Sequence, residues 1–247
     1  MVNSPGLAAV WAESNTRESI YDALRRRETF ATSGPRIRLR FFAGLDYPEQ
    51  LINEPDLLSQ AYAGGVPMGG ELEAGAESPT FLISASADPG TPEFPGTDLQ
   101  RLQVIKGWLD ADGNTHEQVI DVAGNADNGA GVDPQSCAAI GSGERNLCTV
   151  WRDPNYKASQ KAFYYVRVLE NPTCRWSTLQ CQSYGVNPFD KNCKAQADAQ
   201  TEFFQDERGA IGDVFGRCCL NPEEERFYSP IIQERAWTSP IWINPGS

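Results

Sequence analysis

Histidine is almost absent from this sequence, with His116 the only one. A catalytic metal centre built on clustered imidazoles cannot be assembled from these residues alone. Basic residues are scarce too: 21 Lys and Arg stand against 33 Asp and Glu, a formal net charge of -12. Phosphate backbones and anionic lipids are bound by positive surfaces, so this balance argues against nucleic-acid and membrane-surface partners. No apolar run approaches the ~18–20 residues that a membrane-spanning helix requires. The stretch 1–12 lacks the basic start and sustained apolar core of an export signal. Gly-rich phosphate loops, nucleophile elbows, Cys–His pairs, internal repeats and low-complexity tracts are missing as well.

Turn-forming residues and cysteine are abundant. With 22 Gly and 17 Pro in 247 residues, the composition favours many short strands joined by turns. Hydrophobic residues make up 40 %, enough for one good core or two small ones. The seven cysteines, Cys137, Cys148, Cys174, Cys181, Cys193, Cys218 and Cys219, all lie in the C-terminal half. Their irregular spacing does not fit the paired thiolates of a zinc site, so disulfides and an oxidising, secreted or periplasmic location are expected. An export signal would then lie before Met1, with these residues as part of a longer protein. Cys137 and Cys148, set apart from the others, are expected to pair. Adjacent Cys218 and Cys219 cannot easily bond to each other and should bond outward into the group Cys174, Cys181 and Cys193, with Cys174 as first choice. Whether Cys181 or Cys193 takes the second bond, or those two join each other, is open.

Residues 7–12 read as a short buried strand. Asn15 then caps a helix, with Glu18 completing a capping box and Arg25, Arg26 and Arg27 in the last turn. A second strand, Thr29–Ser33, ends at Gly34-Pro35. Together these read as a βαβ remnant of an α/β barrel occupying 1–35. Period-two alternation follows, with Ile37, Leu39 and Phe41 against Arg36, Arg38 and Arg40. Further strands are expected at 81–87, at 99–110 and 117–122 around the Asp112-Gly113 turn, at 162–170 and at 237–244, with helices near 54–62 and 194–205. The fold class is mainly β: a small β-sandwich over 36–247 with long irregular disulfide-bearing loops.

The runs ESIYDALRRRETFATSGPRIRLRFF (18–42), YYVRVLENPTCRWS (164–177) and QERAWTSPIWIN (233–244) resemble the C-terminal region of the bacterial DUF3604 proteins. That family is similar to the polymerase-and-histidinol-phosphatase (PHP) superfamily of metal-dependent hydrolases. The resemblance implies an upstream catalytic β/α barrel as partner, holding a divalent metal on His, Asp and Glu clusters. The present residues would close and cover that barrel as an accessory scaffold. No metal ligand carries over to this sequence, and no cofactor or catalytic residue is assigned to it.

Several groups carry side chains suited to chemistry. Ser33, at the end of a barrel-type strand, and Arg36 are the candidates to face an anionic substrate, and Thr32-Ser33-Gly34 could offer backbone N–H groups. Otherwise they are a plain turn. The island Arg25, Arg26, Arg27, Arg36, Arg38 and Arg40 reads as ion pairs or a solvated face before it reads as a binding site. His116 reads as an exposed loop residue. Asp121, Asn125, Asp127, Asn128 and Asp133 carry calcium-type oxygen ligands but not in an EF-hand spacing. Exposed tryptophans among Trp108, Trp151, Trp176, Trp237 and Trp242 would favour the alternative of a stand-alone extracellular, carbohydrate-binding module; core packing is the ordinary use.

Overall fold

A computed structural model describes residues 6–110 and 112–245. Along the chain run β1 (Leu7–Val10), α1 (Arg17–Arg25), β2 (Thr29–Thr32), β3 (Arg38–Gly44), α2 (Leu57–Gly64), β4 (Gly65–Pro67), β5 (Glu71–Ala74), β6 (Thr80–Ser86), β7 (Leu99–Leu109) and β8 (Thr115–Gly124). Then come β9 (Gly131–Val132), β10 (Ala139–Ile140), β11 (Asn146–Arg152), β12 (Ala162–Glu170), β13 (Thr173–Cys174), α3 (Trp176–Ser183), α4 (Cys193–Arg208), β14 (Ile231–Ile232), β15 (Arg235–Thr238) and β16 (Ile241–Pro245). They fall into two compact units.

The first unit spans 1–128, 143–170 and 234–247 and is a β-sandwich. One layer is the four-stranded sheet β11-β6-β3-β4. The other is centred on β12, which pairs antiparallel with β7 along one edge and with β15 and β16 along the other. From there the sheet continues to β8 beyond β7, to β2 and β1 beyond β15, and to β5 beyond β16. The period-two pattern produces this layering. Leu39, Phe41, Phe81 and Ile83 point inward from one sheet and meet Val104, Tyr164, Val166, Val168, Ile241 and Ile243 from the other. The Phe81 and Tyr164 rings lie 4.6 Å apart at the centre. The expected strand 237–244 is broken in two because Pro240 has no N–H to give to the ladder.

The N-terminal segment corrects two expectations. β1 and β2 do flank a helix, but they pair antiparallel, Leu7 opposite Thr32 and Val10 opposite Thr29. They are therefore not the parallel strands of a βαβ unit. The chain leaves β1 at one end of the ladder and re-enters β2 at the same end, so α1 is an excursion and not a crossover. Nor is β1 buried: Leu7 and Ala8 are exposed. The helix cap moves by one residue, since Thr16 has the extended backbone of a cap and its Oγ1 accepts from the Ser19 N–H at 3.3 Å. The helix ends in a Schellman motif: the Arg27 N–H donates to Leu24 O and the Glu28 N–H to Ala23 O, both at 3.0 Å. Arg27 occupies the left-handed position, φ 60°, that glycine usually fills.

The second unit, 129–142 with 171–233, holds α3, α4 and two short ladders, β9 with β10 and β13 with β14. In its main apolar cluster three of six buried residues, Cys181, Cys193 and Cys218, are cysteines. The bonds are Cys137–Cys174, Cys181–Cys218 and Cys193–Cys219. Cys218 and Cys219 do bond outward, as their adjacency requires. The pairing of Cys137 with Cys148 is overturned, and so is Cys174 as their partner. Cys148 is held in β11 opposite Ser84 of β6, packed beside Phe42, Tyr47 and Leu51, while Cys137 is bonded to Cys174 within the second unit. Each bond closes 26 to 37 residues, worth on the order of 3–4 kcal/mol on the chain-entropy account. A non-reducing peptide map should return these three pairs, with alkylation in denaturant labelling Cys148 alone. A peptide joining Cys137 to Cys148 would contradict the assignment.

Candidate functional site

Ser33 and Arg36 do not converge on a site. The Ser33 N–H donates to Arg235 O at 2.9 Å, its hydroxyl accepts from the Arg235 N–H at 2.8 Å, and the Gly34 N–H donates to Thr32 Oγ1. The suspected anion cradle is thus occupied in extending the β2–β15 ladder. The Arg36 N–H donates to Asp88 Oδ2 at 2.6 Å while its side chain is exposed.

The arginine island divides. Arg25, Arg36 and Arg38 are exposed and make no ion pair among the described residues. Arg26 and Arg40 converge on Glu28, a carboxylate only 3 % exposed. The Schellman turn sets Glu28 at the mouth of β2, where its carbonyl accepts from the Trp11 N–H. Arg26 Nη2 lies 3.4 Å from one carboxylate oxygen and Arg40 Nη1 3.8 Å from the other. The Tyr62 hydroxyl donates to Glu28 and accepts from Arg40 Nη1 at 2.9 Å. The Arg40 guanidinium lies 3.4 Å over the Trp11 ring, and Trp11 is pinned by its Nε1–H donating to Leu39 O at 2.9 Å. Burial pushes the Tyr62 hydroxyl pKa up, helped by its bond to Glu28, and burial pulls that of Arg40 down. Arg27 is set apart, 4.9 Å over the Trp242 ring and 3.6 Å from Glu71. The Gly69 backbone packs so tightly against the Arg26 and Arg27 carbonyls that a Cβ there would lie 2.3 Å from Arg27 O. The sequence reading missed Glu28, Tyr62 and Trp11. The one available signal was a single acid directly after three arginines.

A second charged group sits inside the sandwich. Lys106 and Asp153 are 2 % and 3 % exposed and form an ion pair at 2.5 Å. Lys106 also donates to Asn155 O at 3.0 Å, and Asp153 accepts from the Tyr164 hydroxyl at 2.8 Å. Every partner is internal, so this is a structural charge pair. His116 opens β8, stacks on Trp108 and lies 2.8 Å from Asp110, exposed on the hairpin. Asp121 is paired with Gln103 and Arg101, and Asp133 accepts from Ser136 and Gln135, which lowers its pKa. Among the described residues no group of three or more His, Cys, Asp and Glu is arranged to hold a metal. All six tryptophans are half-buried, so none forms an open platform.

Residues 1–201 match the family model described as a protein of unknown function, DUF3604. The chain belongs to the DUF3604 family. No curated protein and no solved structure matches it. The match covers the whole Glu28 cluster and the strands that carry it.

Glu170, at the end of β12, is 2 % exposed, and its pKa is pushed up to about 8, first by burial and then by Glu234 and Asp88, with Arg145 opposing. Its folded pKa lies above the unfolded 4.5, so its stabilising contribution is complete below about pH 4.5 and is lost as pH rises through about 8. Each pH unit inside that window costs up to about 1.4 kcal/mol. Denaturant titrations from pH 4.5 to 8 should show stability falling faster in the native protein than in Glu170→Gln. Equal slopes would refute the assignment.

Proposed function

We propose that this chain is an accessory, scaffold-type region of a metal-dependent hydrolase-like protein of the PHP kind, and that it packs against a catalytic barrel formed by residues preceding it. The observation that carries this reading is the open N-terminal face of the sandwich. Among the described residues β1 is hydrogen-bonded only along its β2 edge, and Leu7 of β1 and Tyr21 and Leu24 of α1 are 38, 58 and 51 % exposed. An apolar four-residue strand with an unpaired edge is an unprotected pairing surface, and nothing in LAAV, neither charge nor proline, blunts it. A neighbouring structure that covers this face gains backbone hydrogen bonds and apolar burial at roughly 25 cal/mol per Å².

In this reading the divalent metal and the groups that activate water belong to the barrel. The chain supplies a rigid sandwich, and the three disulfides support a secreted or periplasmic setting. No helix among the described residues is long and apolar enough to cross a membrane.

The purified chain, assayed with Mn, Zn and Fe against phosphate, ester and amide substrates, is expected to give no metal-dependent turnover. Turnover that survives purification to homogeneity would overturn the reading. Leu24→Asp should leave the stability of the isolated chain within about 0.5 kcal/mol, as for an exposed position. It should weaken association of the chain with its barrel in the full-length protein. A loss of stability well above that figure would mean that the face is already packed.

A further inference from the structure

The Glu28 cluster holds more positive charge than its acid needs. Two guanidinium groups reach one carboxylate, Tyr62 adds no charge, and Arg27 is matched separately by Glu71. The surplus of one cation stands in a chain of net charge -12. Neutralising Glu28 accounts for a single arginine. Donors are in surplus as well. Arg40 gives one hydrogen bond, through Nη1, and Arg26 one, through Nη2; their other N–H groups bond to no described residue. Arg40 is held over the Trp11 ring with its side chain 19 % exposed, while the Arg26 side chain is 50 % exposed at the rim. A planar fork already held by a ring and a phenol loses little freedom when it takes a ligand.

We propose that Arg26 and Arg40, backed by Trp11 and Tyr62, form a subsite for a small oxyanion: a carboxylate or phosphate-type group of a ligand. Glu28 and the Trp11 ring set the two guanidinium groups in place, and their remaining N–H groups face the ligand. The partial burial of Arg40 strengthens its attraction for an anion by lowering the local dielectric. This inference is independent of the docking face, because it concerns binding by the chain alone.

The test is calorimetric titration of the full chain with inorganic phosphate and, separately, with acetate, at ionic strength held constant with chloride. Tryptophan fluorescence gives a second readout through Trp11. Saturable binding in the millimolar range is expected for at least one probe. Phosphate alone would assign a tetrahedral anion and acetate alone a carboxylate. Arg26→Gln, at the rim, should weaken binding roughly fivefold. Arg40→Lys keeps the charge but loses the stacked fork, and should weaken it about tenfold. Arg38→Gln, exposed and outside the cluster, should bind as the native chain does. No saturable binding of either probe would overturn the proposal. So would native affinity in both Arg26→Gln and Arg40→Lys, or an equal loss in Arg38→Gln.

Discussion

The first unit depends on β12. It pairs with three strands, β7 on one side and β15 with β16 on the other, and the rest of its sheet extends from those three. The facing sheet removes water from its inward side chains. Tyr164 is fully buried and its hydroxyl must bond internally. It does so to Asp153, and a buried carboxylate is tolerated only with a counter-charge. Lys106, from the neighbouring β7, supplies that charge and satisfies a further donor on Asn155 O. The loop after β11 is thereby tied to the centre of the sheet by a polar chain that begins with one tyrosine in a strand.

The strands that make this layer were legible because burial on one face writes period two into the sequence. Ile37, Leu39 and Phe41 alternate with arginines and are buried as expected. AFYYVRVLE is the strongest strand in the sequence and the central one in the fold. Pairing direction was not legible. Residues 7–32 predict a strand, a helix and a strand, yet the same string suits a parallel crossover and an antiparallel excursion equally. What decides is the turn at Arg26–Glu28, a left-handed residue with no glycine to announce it, backed by Gly69 from a distant loop. The Cys137 pairing failed for a related reason. Proximity along the chain favoured Cys148, but the β11–β6 register commits Cys148 to the sandwich.

The acids of this chain show how position decides the role of a charge. Glu28 and Glu170 are equally buried, but Glu28 lies between two arginines and a phenol whereas Glu170 has acids as its main charged neighbours. The first orders a basic cluster at the surface. The second ties the stability of the central strand to pH. The candidate site was the less legible of the two levels, because its members come from the residue after β1, the α1–β2 turn, β3 and α2. Only Arg26 and Arg40 stood out, as part of a larger island in which Arg25, Arg36 and Arg38 are plain solvated charges and Arg27 pairs with Glu71.

The two units are held by different physics. The sandwich has a continuous apolar core and contains no disulfide; its one cysteine, Cys148, is free. The main apolar cluster of the second unit has six buried residues, half of them cysteines, and Phe203, Ile211 and Phe227 are left largely exposed. A core that small cannot offset the conformational entropy of its long irregular segments, so cross-links must do so by restricting the unfolded chain. Reduction therefore acts on one unit and leaves the other without a bond to break. The Glu28 cluster, the open edge of β1 and the polar chain from Tyr164 all belong to the unit that has no disulfide to reduce. The dependence on an oxidising compartment lies entirely in 129–142 and 171–233.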